Sequence, residues 1–392
     1  MKKSLLCAAV ALACSPAFAA DVQLFGFFDQ GIAFLNENLA AGMGGPNSAK
    51  QQTFGEDQDK IGMAGRKNQV SLGTGNVSTW GIKLTEQIND DFSVGIHLEN
   101  GYLPDTGELY MSNVLFERES TIALNSKTYG QLKMGRMPAM LTGSGTTGIF
   151  NSRVNPFGAG WGNMTGGWKF VGTLASARHD NMFNYRSPSF NGVTFHVQHS
   201  FGNTDENVEG AEEGSSKVNR YSALGVTVEG DRYFLAAGVD YLKMGSKKAT
   251  VTNDSIKAIV GGHYDFGSFK GYATVQYMDN IQYIGGYSTK EFAPKFGSET
   301  TKGFDAWAVS LGADTKVWGG TAKFSVGYAQ AENQNLDDNK DLVRMNVGVG
   351  YIYPLSKRTS IYGIGGYFWE DADYNEDKIY ASEVIVGLMH RF

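Results

Sequence analysis

Cysteine occurs only at positions 7 and 14, there are 8 prolines and 6 histidines in 392 residues, and no basic cluster stands anywhere in the chain. No run reaches the roughly 20 consecutive apolar residues that a spanning helix needs. Each of these shortages excludes a class. Both cysteines lie in an N-terminal stretch with a basic start (Met1-Lys2-Lys3), a short apolar core (Leu5 to Ala13) and a small-x-small site (Ala17-Phe18-Ala19). That pattern is a secretory signal peptide over residues 1–19, leaving 20–392 as one exported domain. The alternative, a lipidated Cys14, has Ala11 where an aliphatic branch is expected. Without its leader the chain has no thiol, so disulfides, haem attachment and thiolate metal sites are excluded. Loss of Lys2 and Lys3 takes the formal net charge from −6 to −8, which argues against nucleic acid as a partner.

Acid itself is unevenly spread. From Thr121 to His179 there is no Asp or Glu, while Lys127, Lys133, Arg136, Arg153, Lys169 and Arg178 all fall inside. The carboxylates gather instead in polar runs at 56–59, 205–213, 337–341 and 370–377, which read as solvated loops.

What the chain does have is glycine (51), phenylalanine (24), tyrosine (19) and alternation. In 80–85, Trp80, Ile82 and Leu84 take turns with Gly81, Lys83 and Thr85; Phe92, Val94, Ile96 and Leu98 alternate with Ser93, Gly95, His97 and Glu99. Period two is the signature of a strand with two unlike faces. Sixteen such segments are predicted, near 22–35, 78–88, 91–102, 114–125, 129–137, 179–188, 192–201, 219–229, 232–243, 255–266, 269–283, 303–315, 319–331, 342–353, 359–370 and 381–392. Tight turns and long polar loops alternate strictly between them, the long ones at about 36–77, 103–113, 138–178, 202–218, 244–254, 284–302, 332–341 and 371–380.

Such a pattern predicts an all-β fold: a transmembrane antiparallel β-barrel of 16 strands, with short periplasmic turns and long extracellular loops. Closure follows because backbone groups in hydrocarbon must pair internally. An eight-stranded barrel fills with side chains, whereas sixteen strands enclose water. A soluble secreted all-β protein is the competing architecture. It is disfavoured by the long loops on one rim, by aromatic residues near strand ends (Tyr351, Tyr353, Tyr362, Phe368 and Trp369) and by Phe392 closing an alternating strand.

Several segments resemble Gram-negative trimeric porins, especially the betaproteobacterial type. They are 24–31 (LFGFFDQG), 116–120 (FERES), 129–136 (YGQLKMGR), 185–192 (YRSPSFNG), 355–359 (LSKRT) and 386–392 (VGLMHRF), in the family's order and spread over the whole mature chain. The resemblance implies an outer-membrane homotrimer in contact with the bilayer and lipopolysaccharide, inserted by the barrel assembly machinery with Phe392 as its signal. It also implies a third loop, about 138–178, folded into the lumen, and passive diffusion of small anionic or neutral hydrophilic solutes. The family sets acids on that loop against a basic ladder on the wall; here the ladder positions fall on Thr79, Arg118 and Arg186, with Lys83 beyond Thr79. Two departures stand out. Thr79 occupies an arginine position, and the loop motif Asn155-Pro156-Phe157-Gly158 lacks the family's carboxylate.

The expected constriction is therefore basic, lined by Lys83, Arg118, Arg186, Arg153, Arg136 and Arg178 around Pro156, Phe157 and Gly158, and preferring anions. Asp29 and Glu99, inward by parity, oppose it, and Lys127 and Lys133 near the periplasmic turn weaken it. Outward Glu119 and Thr121 are expected to lie on a protein-covered face. Trp161 and Trp168 are expected to pack the loop against the wall rather than guide sugars.

No enzyme emerges from the residues. His196 and His199 are three apart, so a strand points them to opposite faces and they do not share a metal. Glycine-rich pieces lack the strand-to-helix setting that cradles phosphate, and no cofactor is implied. Two further readings remain: a solute-specific channel for an organic acid, phosphate or sugar, and a mainly structural or adhesive barrel.

Overall fold

The computed structural model describes residues 21–37, 67–158, 161, 165–166, 178–204, 209–245, 253–281, 283–284, 287–288, 302–334, 341–373 and 378–392. Expectations for the leader, Trp168, Lys169 and the acidic runs at 56–59 and 337–340 lie outside these residues.

Strand β1 is Asp21–Glu37 and β2 is a strand in two pieces, Lys67–Gly73 and Ser78–Gln87. The following strands are β3 Phe92–Tyr102, β4 Glu119–Ser126, β5 Gly130–Pro138, β6 Arg178–Arg186, β7 Val193–Ser200, β8 Arg220–Glu229, β9 Tyr233–Lys243 and β10 Ser255–Asp265. They continue as β11 Lys270–Ile281, β12 Phe304–Val317, β13 Gly320–Asn333, β14 Asp341–Pro354, β15 Thr359–Ala372 and β16 Ile379–Arg391. All neighbours are antiparallel, and β16 returns to β1 in a register running from Phe27↔Arg391 to Glu37↔Ala381, which closes the barrel. Gly26 and Phe392 exchange backbone hydrogen bonds of 3.0 and 3.1 Å beyond the last ladder pair. The Phe392 ring occupies the space that a Cβ on Gly26 would need.

Alternation does what the sequence reading requires. On β1 the outward Val22, Leu24, Phe28, Ile32 and Phe34 are 42% to 62% exposed, forming part of an apolar belt. Asp29, between them in sequence, points inward and is fully buried.

Three expectations need correction. Lys67–Gly73 belongs to the barrel rather than to a loop spanning 36–77, pairing with Gly31 to Glu37 of β1. Glu119 and Thr121 face the lumen, 1% and 5% exposed, and not a neighbouring subunit; β4 begins at Glu119 because Asn113 and Phe116 hold left-handed backbone (φ 64° and 60°), which breaks the ladder over 114–118. Tyr362 and Phe368 are lumen-side residues, 3% and 0% exposed, not boundary aromatics; Tyr353, at 41%, keeps the outward position expected of it.

Candidate functional site: a lumen narrowed by the third loop

The connection after β5 turns into the barrel and lies along its inner wall. Met140, Leu141, Ile149, Phe150 and Val154 of this loop pack against Met182 on β6, Tyr221 on β8, Phe234 on β9 and Ile259 on β10. One short helix, α1 (Asn151–Val154), lies in this stretch. Farther along, Phe157 and Trp161 join Tyr362 and Ile364 of β15 and Ile385 and Met389 of β16. Each such burial contributes roughly 1.5–3 kcal/mol against leaving the side chain in water.

Wall residues hold the loop by its backbone. Gln198 donates to the Pro138 carbonyl (2.9 Å) and accepts from the Met140 amide (2.7 Å). Lys323 Nζ donates to the Pro156 carbonyl (2.6 Å), Ser325 Oγ to that of Thr165 (2.5 Å), and His263 Nδ1 lies 2.7 Å from the Arg153 carbonyl. Glycine makes the room: a Cβ at Gly312 would stand 2.5 Å from Pro156, and one at Gly348 2.5 Å from the Thr165 carbonyl. Part of the glycine excess is thus a seat cut into the wall.

Near its far end the loop meets the closing seam of the barrel. The Tyr362 hydroxyl donates to Asp29 Oδ1 (2.5 Å) and accepts from the Gly75 amide (2.8 Å). Asp29 Oδ2 accepts from the Asn76 amide (2.9 Å), and Ser78 Oγ accepts from the Asp29 amide (2.9 Å). One phenol therefore reaches from β15, across Gly387 of β16, to β1 and the break in β2. Trp161 stands edge-on to the same ring at 4.9 Å. Asp29 is inward as expected, but its carboxylate is taken up by this network.

Charged residues of the lumen meet mostly in pairs. Glu99 and Glu119 are directly opposite in register, a costly placement for like charges. Arg118 Nε lies 2.6 Å and His97 3.3 Å from Glu99, while Lys133 Nζ lies 2.9 Å from Glu119. Glu119 also accepts from Thr146 Oγ1 of the loop at 2.6 Å, tying wall to loop. Arg118 precedes the regular part of β4, so alternation does not dictate its direction and it reaches Glu99.

Arg136 bonds the Glu117 carbonyl (2.6 Å) and Asp180 (2.6 Å), and Arg178 donates to the Arg118 carbonyl (2.8 Å). Arg153 pairs with Glu229 at 2.5 Å and lies 3.6 Å over the Phe234 ring. On β9 and β12, Asp240 and Asp314 face Lys257 (3.2 Å) and Lys323 (4.0 Å).

Lys83 and Arg186 differ. Both are exposed on inward positions; Lys83 Nζ sits 4.4 Å over the Phe25 ring, and Arg186 is opposite Gln131 and His196 in register. Among the described residues neither has a carboxylate within salt-bridge distance. Beside the entry of the loop, a cavity of about 280 Å³ is lined by Arg178, His179, Asp180, Ser200, Asn203 and Lys217, among others. Sequence reasoning missed His97, Lys133 in its paired state and Tyr362 as parts of this interior, and Lys217 as an exposed loop residue lining the cavity; partners on separate strands leave no local spacing to read. Just beyond the membrane span, burial pushes the Tyr110 phenol up to about 12, partly offset by Arg118 and Arg178.

His196 and His199 diverge as expected: His196 lies 3.2 Å from Thr227 Oγ1 on the lumen side, and His199 2.9 Å from Ser222 Oγ outside. No group of three or more metal-ligating side chains exists among the described residues.

A family model for Gram-negative porins matches residues 6–373. The chain is 28% identical to an outer membrane porin protein of Bordetella pertussis, over 100% of both chains. It is 25% identical to outer membrane porin protein 32 of Delftia acidovorans, over 93% of this chain and 88% of the relative. Among solved structures it resembles the anion-selective porin from Comamonas acidovorans, with a TM-score of 0.66, 20% identity, and coverage of 95% of this chain and 100% of that one.

Proposed function

Given that the chain belongs to the Gram-negative porin family and forms a non-enzymatic outer-membrane channel, we propose that its constriction is electropositive and favours small anions and neutral hydrophilic solutes. One observation supports this reading: the lumen carboxylates of Glu99, Glu119, Asp240 and Asp314 each face a cation within 4.0 Å, while the exposed Lys83, and Arg186 at the periplasmic end of β6, face no carboxylate among the described residues. Charge already paired contributes little field to a passing ion, whereas an unpaired cation keeps a field that the low-dielectric walls focus into the water of the lumen. Arg118, Arg136, Arg153 and Arg178 then serve mainly to neutralise and position. The absence of acid along 121–179 keeps the loop from opposing the wall. The anion-selective porin of Comamonas acidovorans, similar in fold, is consistent with this reading.

Reversal potentials across a planar bilayer in a KCl gradient test it. Wild-type channels are expected to show chloride preference, and K83E/R186E to lose or invert it. Potassium preference in the wild-type channel rejects the proposal.

A second reading, a saturable site for a small organic acid, draws on the cationic cavity beside Arg178 and Lys217. Concentration-dependent block of conductance by such an acid distinguishes it from free diffusion. By similarity in fold to structures such as OmpT of Vibrio cholerae, solved in a trimer form, the assembly is proposed to be a homotrimer. The leader 1–19 is proposed to direct export, and Phe392 to direct barrel assembly.

A further inference from the structure

Two phenylalanines stand on the lumen face of β1, where alternation calls for polar residues. The outward positions of that strand are Val22, Leu24 and Phe28, so Phe25 and Phe27 point inward, on the periplasmic half of the barrel. Phe27 packs against the lumen cluster of Phe157, Tyr362 and Met389. Phe25 leans across to β2, where a Cβ on Gly81 would stand 2.5 Å from its ring, and lies 5.1 Å from the His97 ring. Both phenylalanines are half-buried.

Each ring carries a cation from a different neighbouring strand. Lys83 Nζ of β2 lies 4.4 Å from the Phe25 centroid, and the Arg391 guanidinium of β16 lies 5.4 Å from that of Phe27, its partner in register. Both basic side chains are exposed, and among the described residues neither has a carboxylate within 4.0 Å. The inward acids closest in the ladder are engaged: Asp29 by Tyr362 and the Asn76 amide, Glu99 by Arg118 and His97. Asp21 opens β1 at the rim. Ring and positive charge are thus offered together twice, at same-face positions about 6.8 Å apart along the strand. A lone cation serves any small anion. A cation beside a phenyl ring serves best an anion whose charge is fixed to a ring of its own. The solute's ring lies offset or edge-on to the phenylalanine, and its carboxylate takes a charge-assisted hydrogen bond from the lysine or arginine. An aliphatic acid of equal charge meets the cation but gains nothing from the ring's quadrupole.

We propose that Phe25 with Lys83, and Phe27 with Arg391, form two successive stations for aromatic carboxylates on the periplasmic half of the lumen. This rests on the electropositive reading of the channel and names a solute class for it. Block of single-channel current in planar bilayers by benzoate and by cyclohexanecarboxylate, equal in charge and carbon number, tests the pairing. Benzoate is expected to half-block the wild-type channel at about a tenfold lower concentration than cyclohexanecarboxylate. F25L/F27L keeps apolar bulk and is expected to bring benzoate to the level of cyclohexanecarboxylate, whose own block stays the same. K83Q/R391Q is expected to weaken both acids about tenfold. Equal block of the wild-type channel by the two acids overturns the proposal, as does wild-type benzoate block in either variant. The wild-type comparison needs no variant, so it decides even if F25L/F27L fails to insert. Reversal potentials in a KCl gradient report the charge of the lumen separately: chloride preference together with equal block by the two acids sinks the aromatic stations and leaves the electropositive reading standing.

Discussion

Replacing Tyr362 by Phe removes a single oxygen from the closing seam and leaves the ring in place. That oxygen donates to the Asp29 carboxylate at 2.5 Å and accepts from the Gly75 amide at 2.8 Å. A hydrogen bond to a charged acceptor contributes about 1.5–3 kcal/mol, and an orphaned buried donor costs about 1–3 kcal/mol. Gly75 keeps a long contact to Asp29 Oδ1 at 3.4 Å, so the two losses overlap. A net destabilisation of about 2–4 kcal/mol is expected, read as a shift in urea unfolding from micelles at unchanged slope. The Phe ring still meets Trp161, whose centroid lies 4.9 Å from it, so mean single-channel conductance is expected to hold. Y362A removes that support as well and is expected to broaden the conductance distribution. Wild-type unfolding of Y362F, or identical behaviour of the two variants in both assays, refutes the division of labour between hydroxyl and ring.

Three other outcomes follow from the same geometry. E119Q leaves Lys133, 6% exposed, without its charged partner; breaking a buried pair costs about 3–5 kcal/mol, and faster protease cutting within 139–150 is the measurement. G348A places a methyl 2.5 Å from the Thr165 carbonyl, so the loop must lift from the wall and single-channel conductance should change while the barrel still assembles. At the periplasmic turn, desolvation acts against Asp91, but hydrogen bonds from Ser126 and Thr128 prevail and hold its carboxyl below its ordinary value of 3.8. The stability it adds is complete above that value and lost as pH falls through its depressed value in the fold. D91N should flatten the acid dependence of local exchange at Thr128, followed by NMR.

The barrel was legible because its two environments alternate residue by residue, so each of the sixteen segments announces itself locally. The piece Lys67–Gly73 escaped notice because four residues, 74–77, interrupt the pattern, and the interruption is held by Asp29, some forty-five positions earlier. Parity assigned Asp29 and Lys83 inward correctly, as it depends only on an unbroken strand. It failed at Glu119 because Phe116 resets the phase, and it says nothing of which cation a carboxylate meets. Register sets Lys133 opposite Ala123, and its side chain runs along the wall to reach Glu119 beside Thr146 of the loop, a conjunction that no spacing encodes. Tyr362 looked like any aromatic near a strand end; its role depends on Gly387 leaving a gap beneath it.

The recesses that receive the third loop make plug and housing a fitted pair. Methylene-sized hollows at Gly312 and Gly348 accept a particular footprint, so a loop borrowed from a relative would ride high unless its matching dents came with it. Bore width in this molecule is thus inherited jointly by two distant stretches of chain, and redesign of its sieving has to move both together.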